Sequence, residues 1–234
     1  MSKNSRNILL SALVLMVTLL GFGCKKPETG NKTMITVKGS DTMVNLSQKW
    51  AEDYMSKNDS VSIQVTGGGS GTGIAAMLNG TTNIANASRE LKSTEMETAK
   101  SRNINPKEIR VALDGIALIV NTSNKINELT IANLRDIFSG KIKNWKELGG
   151  QDAEIILYGR ENSSGTYEFF KDHVLGKDAS GKQVDYAPST QVLQGTASLG
   201  EAVSKDPKGI GYGGVGYFAK RNDVKILHIK KDAS

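Results

Sequence analysis

From residue 34 onward, apolar residues recur at two spacings in turn, and each change of spacing falls beside glycine, serine or threonine. "MITVKGS" has the short apolar alternation of a strand. Met43, Leu46, Trp50 and Tyr54 then return every three or four positions, which predicts one apolar face of a helix capped by Ser40 or Asp41. "VSIQVTG" predicts a second strand, "GIAAMLNG" a helix, "TNIANAS" a third strand, and "TEMETAKSR" a helix opened by a capping box at Thr94 and Glu97. Strand and helix alternate, as in an α/β fold with a mostly parallel sheet under helices.

A long apolar stretch, "RVALDGIALIVNT" (Arg110 to Thr122), predicts a crossing from one lobe to another. Beyond it, "LTIANLRDIFSGKIKNWKELGG" predicts a helix capped by Thr130 with Leu134, Ile137 and Phe138 on one face. "EIILYGR" reads as a strand, "SSGTYEFFKDHVLG" and "TASLGEAVSKDP" as helices, and "GIGYGGVGYF" as a strand and turn. Trp145 and Tyr167 are expected to be packing groups. The pattern predicts a two-lobed α/β protein with mixed sheets, helices on both faces and a cleft between the lobes.

Before residue 34 the pattern is different. Lys3 and Arg6 precede the apolar run from Ile8 to Leu20, and "GFGC" ends in the only cysteine, Cys24. This is the layout of an export signal, and the run is shorter than the ~18 residues of a membrane span. With one cysteine there is no internal disulfide, so the fold rests on packing. Cys24 reads either as a thiol in a removed signal or as the lipid-modified first residue of a bacterial lipoprotein. Gly23 before it and the polar tether "KKPETGNKT" after it favour the second, although Gly21 stands where a lipobox usually has Leu. Acyl chains there would hold the protein at a membrane surface.

Charge adds little. The formal net charge is +6, and subtracting Lys3 and Arg6 leaves about +4. Aromatic residues make up 6%, too few to stack bases along a basic stripe, so nucleic acid is not an expected partner. A small anion fits better.

The candidate chemistry lies in a pattern met three times at predicted strand-to-helix junctions: Ser40-Asp41-Thr42, Ser70-Gly71-Thr72 and Ser164-Gly165-Thr166. Each places two hydroxyls around a helix start, where backbone N–H groups lack partners and the dipole is positive. One copy is an ordinary cap; three copies with Arg160 four residues before the last suggest neutral donors and one guanidinium closing on a tetrahedral oxyanion. "GGGSGTG" has no P-loop lysine.

In this order, "VKGSDTM", "TGGGSGTGIAAMLNGTTNIANASRE", "VALDGIALIVN", "LRDIFSGKIKNWKELGG", "YGRENSSGTYEFF" and "GIGYGGVGY" resemble the phosphate-binding proteins of bacterial phosphate ABC transporters, over roughly Ile35 to the end. The resemblance implies a periplasmic-binding-protein fold and no enzymatic activity or cofactor. It implies a monomer that captures inorganic phosphate and hands it to membrane permease subunits. It places Ser40 and Thr42 at the first ligand position, Ser70 at the second, and Arg160, Ser164, Gly165 and Thr166 at the third. A carboxylate of longer relatives is replaced here by Ser88 and Arg89, as in the family's shorter branch. The acceptor for a phosphate proton is then Asp41 or Asp114, and both stay open. With Gly71 and Thr72 these residues form the candidate anion-binding set.

The expected division is a signal at 1–23, a tether at 24–33, a first lobe at 34–115, a second at 116–217, and a return to the first at 218–234, shortened relative to the family. The expected location is the outer face of the cell membrane, held by a lipid anchor facing the periplasm or exterior. Two other classes of function remain. Binding of sulfate, molybdate or tungstate would need donors only. A nucleotide-dependent enzyme is suggested by G-x-G-x-x-G at Gly211 to Gly216, yet no crossover helix follows it. G-x-S-x-G fails at Thr72, and His173 and His228 lack metal-ligand spacing.

Overall fold

The computed structural model describes residues 32–230; the signal, Cys24 and most of the tether lie outside the described residues. Met34 begins the unit that carries the fold. β1 (Thr33–Gly39) is followed by a 3-10 turn (Asp41–Met43), α1 (Val44–Met55), β2 (Val61–Thr66), α2 (Ser70–Leu78), β3 (Ile84–Asn86) and α3 (Ser93–Ser101). The three strands form one sheet in the order β2-β1-β3, with β1 and β3 parallel. Glycine decides how closely these elements meet. A Cβ on Gly73 would lie 2.3 Å from the Lys38 carbonyl oxygen, so α2 crosses β1 with backbone against backbone. Ile74, Leu78 and Ala99 form the small core beneath α2 and α3.

The remaining strands are β4 (Ile116–Asn121), β5 (Glu128–Thr130), β6 (Ile156–Arg160), β7 (Gln191–Leu193), β8 (Gly209–Gly214), β9 (Val224–Ile226) and β10 (His228–Lys230). Five make a mixed sheet in the order β7-β6-β8-β4-β9, with β4 antiparallel to both neighbours and β6 parallel to both of its own. The apolar run of β4 serves both faces. Leu118 and Val120 join the core of Phe138, Trp145, Phe170 and Tyr212, while Ala117 and Ile119 join Tyr158, Leu199, Val203 and Phe218. α4 (Ile131–Phe138), α5 (Gly165–Phe170) and α6 (Gly195–Lys205) cover these faces, and α7 (Val215–Phe218) follows β8. Thr130 caps α4 as expected, its hydroxyl accepting the Asn133 N–H at 3.1 Å. Trp145 is fully buried, its indole N–H donating to the Lys208 carbonyl at 3.0 Å. Tyr167 stacks on Tyr186.

Four expectations change. The apolar side of α1 is not its core face: the helix seats Ser47 and Ala51 inward and leaves Leu46, Trp50 and Tyr54 exposed. α3 starts at Ser93, one residue before the expected cap, because the Glu95 carboxylate accepts the Lys92 N–H at 2.8 Å. "RVALDG" is no buried crossing: residues 104–115 have no regular structure and Leu113 is 95% exposed, the strand beginning at Ile116. Residues 224–230 stay with the second half of the chain instead of returning to the first sheet, β9 pairing with β4 and β10 with β5.

Candidate functional site

The three hydroxyl-rich junctions converge. Ser40 follows β1 and its Oγ lies 2.9 Å from Thr42 Oγ1, while its N–H donates to the Asn86 carbonyl at the end of β3. Gly68 and Gly69 adopt φ of 113° and 88°, a left-handed approach that turns the chain sharply into α2 at Ser70. Ser70 is fully buried; its Oγ accepts the Ser88 N–H at 3.0 Å and lies 3.2 Å from Ser88 Oγ. Ser164 caps α5, accepting the Tyr167 N–H at 3.2 Å.

Each pair of junctions is in contact. The first meets the second where Asp41 Oδ1 accepts the Gly68 N–H at 3.0 Å. The second meets the third where the Gly71 N–H donates to the Ser163 carbonyl at 2.9 Å, and where a Cβ on Gly165 would lie 2.4 Å from Ser70 Oγ and 2.5 Å from Ser88 Oγ. The first meets the third through Arg160, whose Nη2 donates to Asp41 Oδ2 at 2.7 Å.

Arg160 is 1% exposed, and each of its three guanidinium nitrogens has a partner, which accounts for four of its five N–H donors. Nε and Nη2 grip Glu161 at 3.0 and 2.9 Å, and Nη1 donates to Thr196 Oγ1 at 2.8 Å. A buried guanidinium requires such partners, because an unpaired charge there would cost several kcal/mol, roughly 3–5 when one partner is removed. The Tyr217 hydroxyl donates to the Asp41 carbonyl at 2.7 Å, and burial, then the Asp41 carboxylate, pushes its phenol pKa up and keeps it a donor.

Two candidates stand apart from this cluster. Asp114 is exposed, its Oδ1 accepting the Gly115 N–H at 2.8 Å, with Oδ2 beside Gly214 and Thr42 at the rim. Arg89 is engaged by carboxylates: Nη1 and Nη2 reach Glu95 at 2.8 Å each, and Nε pairs with Glu168. Thr72 follows Gly71 in the first turn of α2, its side chain beside Gly68, and Thr166 is buried in the first turn of α5. Glu161, Ser163, Thr196 and Tyr217 were not singled out from sequence. Thr196 carried a signal: "QGT" opens α6 with the same Gly-Thr pair that opens α2 and α5.

Chemically the cluster is a set of neutral hydroxyls and amides around one guanidinium and two carboxylates. His173 Nδ1 meets the Phe169 carbonyl at 2.9 Å, and its ring stacks on Phe169. No helix of the described residues is long and apolar enough to cross a membrane.

Known proteins carry the same arrangement of chain. A family model described as a PBP superfamily domain matches residues 26–233. The phosphate-binding protein PstS of Pseudomonas aeruginosa is 35% identical over 206 residues, 82% of this chain and 61% of that protein. PstS of Borreliella burgdorferi is 30% identical over 225 residues, 96% of this chain and 77% of that protein. The chain thus spans about three fifths (61%) of the Pseudomonas protein. Among solved structures, one described as a phosphate ABC transporter substrate-binding protein with bound phosphate, from Clostridium perfringens, superposes with a TM-score of 0.73 at 32% identity, covering 84% of this chain and 76% of that one. An ABC-type phosphate transport receptor from Vibrio cholerae gives 0.61 at 28%, with 86% and 78% covered. The two-lobed α/β fold expected from sequence is the fold of these neighbours, and the family is one of substrate-binding proteins. By family model and by identity alike, the chain belongs to the PBP superfamily, in the family of the PstS phosphate-binding proteins.

Proposed function

We propose that this protein captures inorganic phosphate outside the cytoplasmic membrane and delivers it, chemically unchanged, to the permease of an ABC importer. One observation carries the reading: three hydroxyl-bearing helix starts from separate parts of the chain meet pairwise around a single buried arginine. Ser40, Thr42, Ser70, Ser164, Gly165 and Thr166 supply donors, and Arg160 supplies the positive charge. A tetrahedral oxyanion suits such a shell because its oxygens point to all sides and each needs a donor. Of the two carboxylates proposed as proton acceptor, Asp41 is favoured by its place between Gly68 and Arg160. An acceptor there welcomes the hydroxyl of phosphate and repels fully ionised sulfate.

The lobes are assigned to 34–115 and 116–217, with crossings near Gly115 to Val120 and Tyr212 to Tyr217. The antiparallel pairing of Ile116 with Gly214 and Ala117 with Gly213 supports a hinge in which both crossings bend together. Cys24 is assigned as the lipid-bearing residue that holds a monomer on the membrane.

Calorimetric titration of the purified chain tests the reading: phosphate is expected to bind and sulfate to give no heat. Tight sulfate binding without phosphate heat would make this a receptor for another oxyanion. Arg160→Ala is expected to weaken phosphate about a hundredfold, or ~2.7 kcal/mol. Unchanged affinity in that variant removes Arg160 from the site.

A further inference from the structure

The geometry points to a charged latch beside the anion site, formed by Arg89, Lys92 and Glu168, that sets affinity by holding α5 against the segment between β3 and α3, and through Ser88 against Ser70 of α2, without touching the anion. This rests on the phosphate reading of the site. Gly165 and Glu168 lie three residues apart, on one side of α5. Gly165 abuts Ser88 and Ser70, and Glu168 meets the next residue along, Arg89. The contact between the two halves therefore runs unbroken from the hydroxyls to the ion pairs. Glu168 forms two ion pairs, Oε2 with Arg89 Nε and Oε1 with Lys92 Nζ, the first as a charge contact without an aligned hydrogen bond.

Arg89 is prepared for this task. Glu95, from the first turn of α3, holds its fork bidentately at 2.8 Å and fixes the direction of Nε. Arg89, Glu95 and Glu168 have side chains 13%, 19% and 22% exposed, so the two Arg89 pairs are less screened than surface pairs, whereas Lys92 is 53% exposed and its pair with Glu168 is the weaker one. With its fork on Glu95 and Nε beside Glu168, Arg89 is turned toward α3 and α5, and in this proposal it is a positioning residue.

The sign of one substitution separates this role from a general field effect. Glu168→Gln removes a negative charge near the site and frees two cations, so long-range electrostatics alone would tighten phosphate binding. A latch requires the opposite: phosphate binding weakened about threefold to tenfold, chiefly through faster dissociation, with partial recovery in Glu168→Asp. Tighter or unchanged phosphate affinity in Glu168→Gln overturns the latch. Amide exchange on the full chain reads it without ligand. The Gly71 N–H, which crosses the same junction to Ser163, is expected to exchange at least ~10 times faster in Glu168→Gln, and equal protection overturns the proposal. If the wild type takes up no phosphate, the function assigned to the site fails, while the exchange measurement still decides the latch.

Discussion

At Gly165 the molecule has no room for a side chain, because Ser70 Oγ and Ser88 Oγ fill the space where a Cβ would go. The constraint comes from contact, since the residue is helical and alanine would suit its backbone better. Gly165→Ala is therefore expected to push α5 off the two serines and weaken phosphate at least about tenfold, or ~1.4 kcal/mol. Gly216→Ala, with nothing within 4 Å of the new Cβ, is expected to leave affinity unchanged. Titration of both variants checks the contrast. Arg160 teaches a related lesson about reading residues. Its place at a strand end before Ser164 is legible in the sequence, yet its partners Asp41 and Thr196 lie 119 and 36 residues away. Arg89 shows the same limit: its place next to Ser88 suggests an anion ligand, while its ion pair with Glu168 depends on a residue 79 positions away.

Among the elements, β6 links the site to the core. Arg160 ends the strand, and two residues earlier Tyr158 donates its hydroxyl to Asp206 Oδ2 at 3.0 Å. Burial, then the Asp206 carboxylate, pushes the Tyr158 pKa from 10.0 up to about 12. On the other side of the sheet, burial also raises Tyr186 and Tyr212, whose hydroxyls meet at 2.8 Å. A phenol raised by folding contributes stability that is complete below pH 10 and is lost as pH climbs through its folded value. Denaturant melts are thus expected to show falling stability between about pH 10 and 12, with a shallower fall in Tyr158→Phe. Equal slopes in the two proteins would detach Tyr158 from the effect. α1 shows where periodicity misleads. Its Leu46, Trp50 and Tyr54 repeat at helical spacing, and that spacing gives a helix but leaves open which side faces the sheet; Ser47 and Ala51 are small enough to sit against it.

For the whole molecule, a ligand that binds only the folded chain stabilises it by mass action. Phosphate at a hundred times its dissociation constant adds about 2.7 kcal/mol. At roughly 2–4 °C per kcal/mol for a chain of this size, the melting temperature is expected to rise by about 5–10 °C. The same concentration of sulfate is expected to leave it unmoved in scanning calorimetry, and phosphate added to Arg160→Ala, then near that variant's dissociation constant, to raise it by only about 1–2 °C. A rise with sulfate equal to that with phosphate would contradict the proposed selectivity.

The alternation of apolar spacings indicated β1, β2, β3, β6 and β8 and the longer helices between them, because periods of two and of three to four follow from local backbone geometry; the three-residue strands β5, β7, β9 and β10 are too short to show a period. Glycine, serine and threonine at the junctions mark the helix starts where the proposed anion site lies, because an uncapped helix start is a property of a few consecutive residues. Only the tertiary structure decided that β4 runs antiparallel to β8 and β9, that the apolar side of α1 faces outward, and that Arg160 reaches Asp41 of the first junction while Arg89 pairs with Glu95 and Glu168. Those outcomes depend on which distant residue completes a contact, and distance along the chain carries no record of it.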